Sequence, residues 1–384
     1  MARVVSQGAV RTKSSTLEAL LPRLPPARYT DAEIADFERR LSNLAIFDYA
    51  RVDCVDDTLQ VTVREKWTLI PDFSFATGKT PADLYLAAGA TEYNFLGLAT
   101  ELAISGYREQ RGFGFSVGFS EHDYRQQRWA YGAQLAYGSA GSRFDDGRGW
   151  FTTGPTLTAW ASSPPVLSPY FRYQVNAFYQ AEKIEDVDGD YRPPGGSAVQ
   201  LGLGLTYDNY RWGDLNASGV KISLVMGPGF FVPAAQARHF AELTGVFALP
   251  LARYTMLAAK LSAALSSRGN ANASYLIGSI EGVRGLDDSL YRNWAQSSLN
   301  LELRQAIPLF ERLALQLVAF SDSAAFQRMD PFGRRAQALV ASSVGGGVRI
   351  VPTFLAQFLF RFDVAYLLTP TRQWFPQFGI AQYF

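Results

Sequence analysis

Two patterns of hydrophobic and polar positions divide this chain. In residues 1–70 the periods are mixed. Ser15-Thr-Leu-Glu18 and Thr30-Asp-Ala-Glu33 both have the S/T-x-x-E spacing of a capping box, which marks helix starts. After the second, Ile34, Phe37, Leu41 and Leu44 recur at helical spacing. Leu59, Val61 and Val63 alternate as in a strand, and further strands are expected over residues 49–55 and 3–7. The predicted order is strand, helix, helix, strand, strand: a small α/β domain.

From about residue 71 to residue 384 the helical period disappears and alternation takes over. Between residues 354 and 366 one face carries Phe354, Ala356, Phe358, Phe360, Phe362, Val364 and Tyr366, and the other carries Gln357, Arg361 and Asp363. Leu299, Leu301, Leu303 and Ile307 oppose Asn300, Glu302 and Arg304. Phe171, Tyr173, Val175 and Tyr179 oppose Arg172, Gln174, Asn176 and Gln180. A soluble sandwich also alternates. Three features point to a membrane barrel instead. The strands run about 10–13 residues, against ~5–6 in globular proteins. Their polar faces carry full charges, which suits a wet lumen. The chain ends inside a strand, and a membrane sheet must close on itself to leave no unpaired edge. Fifteen strands are read, centred near 88, 101, 116, 133, 155, 175, 203, 224, 243, 260, 301, 317, 345, 360 and 378. Bacterial single-chain barrels have even numbers, so about sixteen strands are predicted, the missing one between about 120 and 200.

Composition agrees. Hydrophobic residues make up 48% and aromatics 14%, with 33 glycines, yet no stretch approaches the ~20 apolar residues of a membrane helix. The net charge of +1 provides no basic field, so no nucleic-acid partner is expected. One cysteine, Cys54, precludes an internal disulfide. The opening MARVVSQGAV has no apolar signal-peptide core, so any export signal is expected to lie outside this sequence.

Nothing in the chain argues for an enzyme. Gly114-Phe-Ser116-Val-Gly118 matches the spacing of a nucleophile elbow, but it lies inside an alternating strand, which makes Ser116 a lumen residue. Gly78-Lys79-Thr80 resembles the end of a phosphate loop without its first glycine or its helix. His122, His239 and Cys54 fall in separate segments, so neither a metal nor another cofactor is expected.

The informative cluster is charged. Val283-Arg284-Gly285-Leu286 sits in a long segment between strands. The four strands that follow place Glu302 and Arg304, Asp322, Arg349, and Arg361 and Asp363 on their polar faces, hence inward. An arginine on the lipid face near the midplane would cost ~2–4 kcal/mol. Lumen charges need partners. Spacing alone leaves two arrangements open: ion pairs between neighbouring strands, or a loop folded into the barrel with Arg284 on one of the carboxylates.

These residues resemble the BamA-type outer-membrane insertase and translocase superfamily, which includes two-partner secretion transporters and patatin-linked barrels. The resemblance rests on Val283-Arg284-Gly285, on Leu299-Asn-Leu-Glu302-Leu-Arg304, on Phe320-Ser-Asp322, on Gly345-Gly-Gly347-Val-Arg349 and on Arg361-Phe-Asp363-Val-Ala365. Upstream, Ala90-Thr-Glu-Tyr-Asn94-Phe-Leu-Gly97 is similar to the family's first barrel hairpin, and residues 37–67 to its periplasmic POTRA domain. Leu286 stands where the family has an aromatic, and Gln382 where its terminal signal is hydrophobic.

The resemblance implies a bacterial outer-membrane protein with one POTRA-like domain in the periplasm (1–70) and a barrel (71–384). It implies that Arg284 pairs with Asp322, with Glu302 and Arg349 nearby, in a lumen lock. It also implies a seam between the first strand, expected over residues 85–93 with Tyr85 and Tyr93 at its ends, and the last, which carries Pro376, Phe378, Gly379 and Phe384. Pro376 either weakens that seam or marks the strand's start. Expected partners are outer-membrane lipids and client polypeptides or a partner periplasmic domain. The implied function is protein assembly or translocation. Two alternatives remain: an anchor and dimerising barrel for a separate passenger domain, and a passive or lipid-handling pore.

Overall fold

The computed structural model describes residues 3–23, 27–55, 58–76, 85–108, 112–121, 129–143, 149–188, 195–213, 215–232, 236–267, 275–279, 282–286, 291–328 and 337–380. The chain opens with β1 (Arg3–Gln7), α1 (Ser14–Glu18), α2 (Asp31–Asn43), β2 (Phe47–Val55) and β3 (Thr58–Glu65). The sheet order is β1-β3-β2, with β1 parallel to β3 and β2 antiparallel to it. The helical stripe of α2 supplies Phe37 and Leu41 to a core with Leu17, Leu20, Leu21, Val52, Leu59, Val61 and Val63. Cys54 is exposed on the edge strand β2.

The two capping signals fare differently. Thr30 caps α2 as a full capping box. Ser15 does not cap α1: the N-cap is Lys13, with no side-chain bond. The adjacent Thr16 hydroxyl instead donates to the Gly97 carbonyl (2.9 Å), tying the helix to the barrel. In the working box the Thr30 backbone N–H donates to Glu33 (2.8 Å), and this bond is the main reason the Glu33 carboxyl is held below its ordinary pKa. Burial pushes Asp36 on the same helix upward, but the guanidiniums of Arg40 and Arg39 outweigh it and hold it low. A lowered carboxylate stabilises the fold above its unfolded pKa and loses that contribution as pH falls through the folded value. Thr30→Ala is expected to cost about 1 kcal/mol of local stability. It should lower the amide protection factors of α2 at neutral pH, and those of the unmutated chain should fall on acidification below about pH 4.

The barrel strands are β4 (Leu69–Ala76), β5 (Tyr85–Phe95), β6 (Thr100–Arg108), β7 (Phe113–Glu121), β8 (Ala130–Arg143), β9 (Gly149–Ser162), β10 (Phe171–Asp188), β11 (Gly196–Asp208), β12 (Gly219–Val232), β13 (Gln236–Ala252) and β14 (Thr255–Ser266). They continue with β15 (Tyr275–Ile277), β16 (Tyr291–Phe310), β17 (Leu313–Arg328), β18 (Gln337–Pro352), β19 (Phe360–Thr369) and β20 (Gln373–Ile380). Each pairs antiparallel with its neighbour, and β20 meets β4 to close the ring. The three-residue β15 adds to β16 beyond the end of its pairing with β14, so the wall is sixteen-stranded.

Three expectations are corrected. The strand missing from the sequence reading is β4, not one between 120 and 200. It is short, carries Pro71 and follows the α/β unit after three residues, so its alternation is hard to see. The first strand is therefore β4, and Tyr85 and Tyr93 belong to the second strand, one position away from the seam. The pattern starting at Phe354 is not continuous strand. Residues 353–359 form an irregular connection, because Trp67 takes their backbone groups: its N–H donates to the Phe354 carbonyl (2.8 Å) and its carbonyl accepts from Ala356 (3.0 Å).

The burial pattern is that of a soluble protein turned inside out. On β16, Asn300, Glu302 and Arg304 are buried, whereas Leu299, Leu301 and Leu303 are exposed. The same holds around the ring, with Leu203 of β11 and Trp374 of β20 each 68% exposed. A continuous apolar outer face is stable only against hydrocarbon, so the wall spans a membrane with its strands. Among the described residues no helix is long and apolar enough to cross one.

The α/β unit is fastened to one mouth, the near end. Lys13 N–H donates to the Gly97 carbonyl (2.9 Å), and Asn94 Nδ2 to Thr12 Oγ1 (3.0 Å). Asn43 donates to the Tyr210 carbonyl (2.8 Å) and accepts from the Trp212 N–H (2.9 Å). The Arg39 guanidinium lies 5.5 Å from the Tyr170 ring centroid. These contacts reach three separate turns, so the unit is not on a free tether.

Candidate functional site: a loop held inside the barrel

The segment between β14 and β16 starts at the far end and turns inward. Gly285 makes the turn with φ +90, a left-handed conformation that favours glycine. A Cβ there would stand 3.3 Å from that of Phe375 on β20, so the tip also lies close to the wall. The Val283 N–H donates to the Gly278 carbonyl (2.9 Å), and Ser279 Oγ accepts from the Gly285 N–H (3.1 Å). Val283 and Leu286 are buried with Ile277, Ala324, Phe326, Ala341 and Leu367. Leu286 thus anchors the tip although it is not aromatic.

This turn delivers Arg284 to a fully buried position among three carboxylates. Its Nε and Nη2 donate to both oxygens of Asp322 (2.8 and 2.9 Å), and its backbone N–H adds a third bond (3.2 Å). Its Nη1 reaches Glu302 (2.8 Å) and Asp363 (3.1 Å). The guanidinium also lies 3.5 Å from the centroid of the Phe320 ring, a cation–π contact. Glu302 takes two more arginines, Arg349 Nη2 (2.7 Å) and Arg304 Nε (2.6 Å). Arg361 is 3.6 Å from Asp363. The loop arrangement is the one found, and alongside it an ion pair joins two strands that are not neighbours, Glu302 on β16 and Arg349 on β18.

The strand pattern explains why the charges converge. Alternation puts residues 300, 302 and 304 of β16, 320 and 322 of β17, 345, 347 and 349 of β18, and 361 and 363 of β19 on the lumen face. Gly345 and Gly347 leave the space the cluster fills. A Cβ on Gly347 would stand 1.9 Å from Asp363 Oδ1, and one on Gly345 2.4 Å from the Phe320 ring. Gly379 of β20 faces Arg361 across the ladder, where a Cβ would lie 3.0 Å from the guanidinium.

Of the expected seam residues, Pro376 lies in the middle of β20 and does not mark its start. Its neighbour Phe378 faces outward, 43% exposed. Phe384 lies outside the described residues, as do Gly78-Lys79-Thr80 and His122. Ser116 is a lumen residue sharing a hydrogen bond with Ser105 (2.8 Å).

Sequence reasoning missed two parts of the lumen. Asn300 joins loop to wall, donating to the Gly282 carbonyl (2.7 Å) and to Asp322 (3.0 Å). At the far end Trp150 and Ile184, from β9 and β10, pack across the barrel against Trp294 of β16, with Arg292 5.0 Å from the Trp150 ring centroid. Asn300 had a signal, its inward parity. The cross-barrel cluster had none, because nothing in strand periodicity relates strands so far apart.

The same architecture occurs in solved structures. BamA from Haemophilus ducreyi lacking POTRA domains 1–3 matches at 15% identity and TM-score 0.54, over 99% of this chain and 84% of that one. CdiB from Escherichia coli matches at 15% identity and TM-score 0.71, over 99% and 76% of the two chains. This chain has the fold of these barrels. CdiB from Acinetobacter baumannii matches at 12% identity and TM-score 0.65, over 99% and 73%. No family model and no curated protein matches the sequence. At these identities the likeness lies in the fold, and in this barrel the charged cluster ties four consecutive strands to one loop.

Proposed function

We propose that this protein handles polypeptides at a bacterial outer membrane, inserting them into the bilayer or passing them across it. The fold shared with BamA and CdiB supports this reading. The observation that carries it is the asymmetry of the wall. The strands β16 to β18 are 16 to 20 residues long and are cross-linked by the Arg284 cluster. Among the described residues, the two strands at the closure, β4 and β20, have 8 residues each and meet only briefly. A short edge contact leaves backbone donors and acceptors that an incoming strand can pair with. Pro376 has no N–H to contribute to β20. The rigid side holds the barrel while the weak side exchanges partners.

On this reading the β1-α1-α2-β2-β3 unit is a POTRA-like domain in the periplasm, and its exposed edge β2 receives clients or a partner domain. The lock residues Val283, Arg284, Gly285, Glu302, Asp322, Arg349, Arg361 and Asp363 keep the barrel intact while the seam works. The test is reconstitution of the full chain in liposomes with a urea-unfolded outer-membrane protein. Faster insertion than in empty liposomes is expected, and a cysteine pair bridging β4 to β20 should abolish the gain. A folded barrel that gives no acceleration would turn the assignment towards a pore or a membrane anchor.

A further inference from the structure

The half of the lumen away from the lock is differently built. Inward residues of β9 to β13, with Tyr275 of β15 beside them, line a cavity of about 430 Å³. Small-molecule sites fall in the range of ~300–1,000 Å³. Part of the lining is aromatic: Phe178, Phe231, Phe240 and Tyr275 border the space, although a lumen face is otherwise polar. With no Cβ on Gly202, the Phe240 ring lies close against the wall, 3.3 Å from where that Cβ would be.

Planar polar groups stand between the rings. Gln180 donates to Glu182 (2.6 Å), which fixes both side chains. Arg238 is buried, held by Ser266 Oγ (2.5 Å), with its guanidinium 5.2 Å from the Tyr275 ring centroid. Gln200 and Glu242 complete the set. The Tyr275 hydroxyl is buried beside the Glu242 carboxylate and the Arg238 guanidinium, which places it within this polar set.

We propose that this cavity binds a neutral saccharide that enters through the lumen. Flat rings match the C–H faces of a sugar. Amide, carboxylate and guanidinium groups each present paired donors or acceptors that match neighbouring hydroxyls. Their charges select against the alternatives. Two carboxylates face one guanidinium, which disfavours phosphates and other anions. A peptide strand has no edge to join, because the backbones of β10 to β13 are laddered on both sides. No metal-binding group of acidic, histidine or cysteine residues occurs among the described residues. The same ladders close the wall to a lipid-borne sugar arriving sideways from the bilayer.

The test is calorimetric titration of the full chain, in a detergent without a sugar headgroup, with maltotriose, chitotriose and glucose 6-phosphate. At least one trisaccharide should bind saturably. Gln180→Ala and Tyr275→Phe should each weaken it, the former by about tenfold, while Leu203→Ala on the outer face of β11 leaves it unchanged. All variants are checked first for a heat-resistant barrel. The proposal is overturned if neither trisaccharide binds, if glucose 6-phosphate binds more tightly than both, or if Gln180→Ala binds like the unmutated chain.

Discussion

Arg284→Ala is expected to leave a folded barrel that unfolds at a markedly lower temperature. The substitution removes four hydrogen bonds to three carboxylates, all from a side chain with no solvent exposure. The backbone N–H bond to Asp322 survives only if the loop stays in place. Removing one partner of a buried ion pair typically costs ~3–5 kcal/mol, because the remaining charges stay buried. The loss should appear twice. Heat-modifiability on gels should shift to lower temperature, and the segment between β14 and β16 should become sensitive to protease. Arg284→Lys should recover little. An ammonium cannot bridge both oxygens of Asp322 and still reach Glu302 and Asp363. An unchanged unfolding transition in Arg284→Ala would mean that the apolar contacts of Val283 and Leu286 hold the loop by themselves.

Much of this arrangement can be read from residues alone, and the boundary of legibility has a physical cause. Period-two alternation reports the face of each side chain, so the inward direction of Glu302, Asp322, Arg349 and Asp363 was available before any coordinates. Period says nothing about which inward residues meet. That depends on register, and register here is set by ladders such as Gly347 opposite Asp363 and Arg349 opposite Arg361. The glycines of β18 read as a motif, but their role is visible only once the Phe320 ring and the Asp363 carboxylate occupy the space they leave. The first strand was missed for a related reason. The eight residues of β4 include Pro71 and few alternations, too short a window for periodicity to register. Contacts across the barrel, such as Trp150 with Trp294, lie beyond any local pattern.

Glu302→Gln is expected to destabilise the barrel more than Arg284→Ala, although it removes no atoms of bulk. The cluster contains four guanidiniums, on Arg284, Arg304, Arg349 and Arg361, and three carboxylates, on Glu302, Asp322 and Asp363. Arg284→Ala brings these charges into balance. Glu302→Gln doubles the positive excess, and does so where three guanidiniums converge within 2.6–2.8 Å of one carboxylate. Two like charges ~4 Å apart cost about 4 kcal/mol at an effective dielectric constant of ~20. The amide keeps one acceptor but turns an NH2 group towards donors. The double variant Glu302→Gln with Arg349→Met restores the original excess and should regain part of the lost thermal stability. If Glu302→Gln melts like the unmutated chain, charge balance is not what holds the cluster, and shape complementarity around Phe320, Gly345 and Gly347 must carry it. If it falls further than Arg284→Ala and Arg349→Met rescues it, Glu302 is the electrostatic hub that holds β16, β18 and the inward loop together.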